Sequence, residues 1–404
     1  MKFEFIHCGD LHLGCYPNHL EERFNDFFTA FNNVIDYAIT NQIYVVLIAG
    51  DLFHLKNINS RTLQRSIEIF NKAKDHNIEI IAIEGNHDRA FYIDEESWLY
   101  FLNKQNYIKL LQVDVNDGKI EYNPYNGISG SVLETDDYRI VGLGYVGGST
   151  ETYITELKKA LKPSKKFTIV MMHAAVNRLG GQDMGDIKKE VLNNLKDCVN
   201  YIALGHIHNR YEYDNFIYNP GSLENIRIKD GINSTQKGFY HVSVEDMKKE
   251  IKFIESNPRK IHDISINVTG INTPTEIEQL VLNKEYEFKD LDMVCLRLYG
   301  KVNFNPYQIS TDIATKIKEK YNLLHIEFSN NINIETTNKK SEETINVDEL
   351  IKDYIKEDIN INFPTVDDQD KIAKGMIDLA DEIIDGKKED LIEKLLKMEV
   401  KLWL

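Results

Sequence analysis

Five short motifs in this 404-residue chain place aspartate, asparagine and histidine at the ends of apolar runs. Asp10-Leu11-His12 follows residues 3–8, Gly50-Asp51-Leu52-Phe53-His54 follows 44–49, and Gly85-Asn86-His87-Asp88 follows 78–83. His173 closes the run 167–172, and Gly205-His206-Ile207-His208 closes 201–204. Each has a bland reading taken alone. Gly-Asp and Gly-Asn are frequent turn dipeptides, and a single histidine at a strand end is more often structural than functional. The chemistry lies in the set. Side chains two apart on an extended segment share one side, so Asp10 and His12, or His206 and His208, can reach one ion. The two oxygens of Asp51 can bridge two cations, and the amide oxygen of Asn86 is a neutral hard ligand. His87 can carry a proton, with Asp88 placed to orient its ring.

Six of the twelve histidines fall in these motifs, a concentration that chance turns do not produce. The set therefore predicts a two-metal site built from Asp10, His12, Asp51, Asn86, His173, His206 and His208. Oxygen and imidazole donors without thiolate suit Mn, Fe or Zn better than Mg or Ca. No protein nucleophile is evident, because Cys8 and Cys15 have no partner base in any visible pattern.

The elements that must hold these motifs follow from periodicity. Up to about residue 255, apolar strand runs alternate with helical patterns over 20–41, 60–75, 94–104 and 151–162, the signature of an α/β layered fold. Runs at 216–218, 238–244 and 251–254 read as short antiparallel strands, so a second sheet is plausible. Asn257-Pro258 marks a boundary. Beyond it, residues 261–328 read as strand, helix (274–283), strand (293–299), helix (306–321) and strand (323–328), a small α+β module. A polar stretch, 329–344, precedes a tail in which Ile372, Met376, Leu379 and Ile383, then Leu391, Leu395, Met398 and Leu402, recur at helical spacing. The expected division is 1–257, 258–330, a linker 331–345 and a helical segment 346–404.

Composition excludes several classes. With 42% hydrophobic and 28% charged residues the chain reads as soluble and globular. No apolar run approaches the roughly 20 residues of a membrane span, and the start lacks a secretory pattern, so a cytosolic location is expected. Cys8, Cys15, Cys198 and Cys295 show no paired spacing and are expected to be reduced structural thiols. The net charge of −16 argues against gripping nucleic acid by bulk electrostatics, though not against meeting phosphates through metal ions. Residues 341–404 alone carry −9 of it.

In order and spacing the motifs resemble the calcineurin-like metallophosphoesterases. Within these, Asp10 to Leu13, Gly50 to His54, Gly85 to Asp88, Gly205 to His208 and Asn219-Pro220-Gly221-Ser222-Leu223-Glu224 resemble the Mre11 and SbcD DNA repair nucleases. His173 is matched by order and by its apolar strand only. The resemblance implies a two-sheet sandwich flanked by helices, then a small α+β cap domain and a helical C-terminal tail. It implies one ion held by Asp10, His12, Asp51 and His208 and a second by Asp51, Asn86, His173 and His206, most simply Mn²⁺. His87 would stabilise the transition state or protonate the leaving oxygen, and His54 would help place the scissile phosphate.

It further implies DNA as substrate, a homodimer through helices carrying Arg61, Arg65, Trp98, Tyr100 and Phe101, and C-terminal helices that dock on a coiled-coil ABC-type ATPase of the Rad50/SbcC kind. Core packing explains the same aromatics, and the tail stripes suit folding back on their own domain equally. Lys158-Lys159, Lys165-Lys166 and Arg227-Ile228-Lys229 are short basic stretches that read as solvated faces or as DNA contacts. The competing activities are a phosphomonoesterase or cyclic-nucleotide phosphodiesterase on the same metal core, and an inactive regulatory subunit. An isolated catalytic domain would favour the former, and a missing ligand the latter; neither feature is present.

Overall fold

The computed structural model describes residues 2–90, 96–176, 187–233 and 236–334. The expected tail stripes at 346–404, and the linker beyond 334, lie outside the described residues.

Two six-stranded sheets stack face to face. The first runs Lys248–Glu255, Gly238–Glu245, Lys2–Cys8, Val45–Ile48, Glu79–Ala82, Lys109–Leu110, its last four strands parallel. The second runs Tyr211–Tyr213, Ile217–Asn219, Tyr201–Gly205, Phe167–His173, Tyr138–Gly144, Val132–Glu134. The central strands are apolar on both sides because both sides are covered. Phe5, Leu47 and Ile81 meet Ile140, Ile169, Met171 and Tyr201 between the sheets. Outside, the first sheet is covered by helices Glu21–Thr40, Ser60–Asp75 and Trp98–Lys104. The second is covered by Thr150–Ala160 and Lys189–Asn193. The helix starts follow capping chemistry: Asn59 accepts from Thr62 N–H and Ser97 from Tyr100 N–H.

Register aligns the strand ends. Cys8 lies beside Ile48, Ile48 beside Ala82, and in the second sheet Gly205 beside His173. Every motif singled out above therefore emerges at one edge of the sandwich. The first two loops stay paired past their strands, since Asp10, His12 and Leu13 N–H donate to the carbonyls of Gly50, Asp51 and Leu52.

The module after Asn257 is a three-stranded parallel sheet, Ile261–Asn267, Met293–Val302, His325–Ile334, covered on one side by helices Pro274–Asn283 and Asp312–Lys320. Its last strand corrects one boundary. The polar residues 329–334, read as linker, continue the strand, because their backbone pairs with Arg297–Val302 residue for residue. Neighbouring backbone overrode a weak β pattern here. The short strands Asp114–Asn116, Lys119–Glu121 and Val132–Glu134 carry too few apolar residues to announce themselves. All four cysteines are buried and free, as expected. No helix among the described residues is long and apolar enough to cross a membrane.

Candidate metal centre

The aligned loops bring all seven expected donors together. His173 Nδ1–H donates to Ala49 O at 2.8 Å, which leaves its Nε2 facing Asn86 Oδ1 at 3.1 Å and Asp51 Oδ2 at 3.3 Å. His206 Nδ1 meets the same Asn86 oxygen at 3.1 Å. On the other side of Asp51 Oδ2, His12 Nε2 lies at 3.7 Å, and His208 Nε2 stands 3.2 Å from His12 Nε2. Ligating atoms of Asp10, His12 and His208 cluster within 4.8 Å of one another, and so do those of Asp10, Asp51 and His173. Asp10 belongs to both groups, and Asp51 Oδ2 faces His12 of one and His173 of the other. Neighbouring ligands around an ion with bonds of about 2.1 Å stand roughly 3 Å apart, so this donor set fits two divalent cations.

The backbone is strained toward this arrangement. Asp10, His12, Asp51 and His206 all take positive φ, between 47° and 90°. Gly50 (φ 88°) and Gly85 precede ligand residues where no side chain fits: a Cβ would overlap the His173 ring in one case and Asp51 Oδ1 in the other. Backbone hydrogen bonds, one of them from the facing sheet, then fix the carboxylates. His206 N–H donates to both Asp10 oxygens at 3.0 Å, and His87 N–H donates to Asp51 Oδ1 at 2.9 Å.

Electrostatics favour cation binding. Burial pushes Asp10 up to about 7, with the neighbouring Asp51 adding to it. Burial also opposes the charge of Asp51, yet the facing His173 and His12 rings hold it below the usual carboxylate range. Burial disfavours a charged His173 as well, but Asp51 and Asp10 outweigh it and raise the ring to about 9. His208 is driven down to about 4, by burial first and then by Lys237, so its lone pair is free.

His54 and His87, expected to place the phosphate and to act on the leaving oxygen, line the cleft beside His12. His54 and His87 stack 5.5 Å apart, and His12 lies edge-on to both. His87 Nδ1–H donates to His54 O at 2.6 Å, leaving Nε2 without a proton when the ring is neutral. Asp88 departs from expectation. It does not orient the His87 ring; its carboxylate accepts from Leu52, Phe53 and Gly85 N–H at 3.2, 3.0 and 2.9 Å. Three orphan loop donors outcompete one imidazole.

A cleft of about 480 Å³ opens over the centre, lined by His12, His54, His87, Tyr145, His206 and Arg227 among others. Sequence reasoning missed several of its supports. Asn219 Nδ2–H donates to the carbonyls on either side of His208, at Ile207 (2.7 Å) and Asn209 (2.9 Å). The buried Lys237 donates to His208 O at 2.7 Å. Tyr145 follows a strand-ending glycine, the signal used for the other motifs, and stands 5.7 Å from the His206 ring. Nothing in the sequence around Lys237 distinguishes it.

The basic stretches separate. Lys158, Lys159 and Lys166 pair with Asp197, Glu156 and Glu134. Ile228 is buried against the small module, while Arg227 stands at the cleft. Of the aromatics expected at a dimer surface, Trp98 and Tyr100 pack partly on the core and Phe101 is exposed. Arg61 and Arg65 lie over Phe24 and Phe28.

A family model described as calcineurin-like phosphoesterase matches residues 3–210. The DNA double-strand break repair protein Mre11 of Sulfolobus acidocaldarius is 26% identical over 415 residues, covering 98% of this chain and 100% of the relative. The protein of the same description from Archaeoglobus fulgidus is 28% identical, covering 65% and 61%. That from Methanocaldococcus jannaschii is 26% identical, covering 87% and 89%.

Proposed function

Because this chain belongs to the calcineurin-like phosphoesterase family and so is a metal-dependent phosphoesterase, we propose that it is a DNA nuclease, hydrolysing phosphodiester bonds in repair or recombination. The observation that carries the reading is the convergence of seven oxygen and imidazole donors on either side of Asp51, in a chain that matches the Sulfolobus repair protein from end to end. Asp10, His12, Asp51 and His208 would hold one ion and Asp51, Asn86, His173 and His206 the other, with Mn²⁺ the best match to the donors. Two such ions lower the pKa of a shared water and steady the attacking and leaving oxygens of an in-line displacement.

The chain's own groups do the rest. His54 O holds the His87 ring through Nδ1–H, and in its imidazolium form the ring would give its Nε2 proton to the leaving oxygen. Asp88 and Asn219 keep the loops at their spacing. The C-terminal segment, read from its apolar spacing as helical, would dock on a coiled-coil ABC-type ATPase, the exposed Phe101 contributes to a homodimer surface, and a cytosolic place goes with the DNA substrate.

The test offers the full chain, with Mn²⁺, single-stranded and duplex DNA, a phosphomonoester and a cyclic nucleotide. DNA hydrolysis is expected, and His87→Ala is expected to lose about 10²–10⁴-fold while still binding metal. Turnover of the small esters alone would replace the nuclease reading with a monoesterase or cyclic phosphodiesterase. Absence of all activity with metal and ATPase present would favour a regulatory subunit.

A further inference from the structure

A chain with a net charge of −16 repels a polyanion at long range, so a nucleic acid must be held by cations local to the cleft. Among the described residues that line the cleft, Arg227 is the one lysine or arginine. Arg23, Arg61, Arg259 and Arg297 are paired with carboxylates, as are the lysines of the 158–166 segment named above. Arg227 differs. It is exposed, it lines the cleft, and its guanidinium makes no hydrogen bond or ion pair among the described residues.

Its backbone is nevertheless fixed. Arg227 N–H donates to Asp230 Oδ2 at 3.0 Å, Asp230 N–H returns a bond to Arg227 O, and Ile226 and Ile228 on either side pack inward. Asp230 is turned toward this turn and toward His208 Nδ1, 4.0 Å away, not toward the guanidinium. Arg227 is also close enough to His54 to disfavour a charge on that ring. The guanidinium therefore shares the cleft with His54 and His87 and lies within electrostatic reach of the former. A rigid backbone with a free guanidinium is the arrangement that binds a phosphate oxygen pair.

We propose that Arg227 holds the phosphate adjacent to the scissile one, so that the cleft favours a phosphodiester embedded in a polynucleotide over an isolated phosphate ester. This rests on the nuclease reading and specifies its substrate. Arg227 touches a neighbouring group and not the reacting atoms, so its signature is a dependence on the neighbour's charge.

The experiment compares wild type, Arg227→Gln and Arg227→Lys with Mn²⁺ on an oligothymidylate, and on the same oligomer with one uncharged methylphosphonate beside the reporter linkage. For wild type, kcat/KM is expected to fall about ten-fold when the neighbouring charge is removed. Arg227→Gln is expected to start about that far down on the charged oligomer and to lose little more on the neutral one; Arg227→Lys keeps most of the wild-type sensitivity. The logarithmic salt slope of binding is expected to be shallower by about one for Arg227→Gln. Losses from Arg227→Gln and from the methylphosphonate that multiply independently would overturn the assignment. Wild type that turns over bis-p-nitrophenyl phosphate but no oligomer would instead remove the nuclease reading, and Arg227's place with it.

Discussion

Asp88 is 3% exposed, and its carboxylate satisfies three backbone N–H groups that no other atom reaches, tying the Gly85 turn to the loop that carries Asp51 and His54. Asp88→Ala would orphan buried donors, each costing about 1–3 kcal/mol, so a loss of at least about 3 kcal/mol is expected in urea denaturation. Asp88→Asn keeps one acceptor oxygen and should cost less. Near-equal, small losses would show that the clamp is dispensable. Gly85 has the opposite logic: its missing side chain is the function. Gly85→Ala is expected to push the Asp51 carboxylate out of place and weaken Mn²⁺ binding by at least about ten-fold, read by calorimetry.

At the scale of elements, strand Lys2–Cys8 is bound to the facing sheet by a polar side chain inside the sandwich. His7 Nε2–H donates to Leu204 O at 3.0 Å, so Nδ1 accepts from Tyr201 OH at 2.9 Å, and the ring is held neutral. Burial lowers it from 6.5 to about 3. A folded value below the unfolded one means that this contribution is complete above pH 6.5 and fades as pH falls from 6.5 toward 3, where the unfolded chain takes up a proton that the fold refuses. His7→Gln keeps a donor for Leu204 and removes the titration. The stability difference between the two proteins is expected to shift in the variant's favour by on the order of 2 kcal/mol on going from pH 7 to pH 5. Parallel stability profiles would contradict it.

Across the whole molecule, the catalytic sandwich and the small module meet through buried charge as well as through apolar contact. Arg259, just past the boundary, grips both Asp26 oxygens at 2.7 Å and donates to Leu291 O at 2.9 Å. Its own N–H donates to Glu224 Oε2, whose other oxygen lies 3.1 Å from the buried Arg23. Beside this network, Ile261, Met293, Cys295 and Leu324 cover Ile228, on the short helix behind His208. The module is therefore packed against the segment that forms one wall of the cleft. Removing the Arg259 guanidinium leaves Asp26 to Arg23 alone and strips Leu291 O of its donor, while the backbone bond to Glu224 stays. Arg259→Met is expected to cost about 3 kcal/mol and to separate the module's melting from that of the sandwich in calorimetry. A single unchanged transition would show that the apolar contact alone holds the two together.

The chain by itself marked the long central strands, the principal helices and the seven positions expected to face a metal, because these depend on local physics. Apolar periodicity marks buried strands, and a glycine followed by Asp, Asn or His marks a turn that can face a ligand. Asp10 and His206 were therefore legible separately, though 196 residues apart, and only sheet stacking made one the hydrogen-bond partner of the other. Tertiary structure alone decided which group orients which. It gave His87 to the carbonyl of His54 and Asp88 to three amides, set Lys237 beneath His208, and stood Arg227 at the cleft with Asp230 turned to its backbone and not to its guanidinium. Such assignments turn on competition among groups brought together by packing, and no spacing along the chain records its outcome.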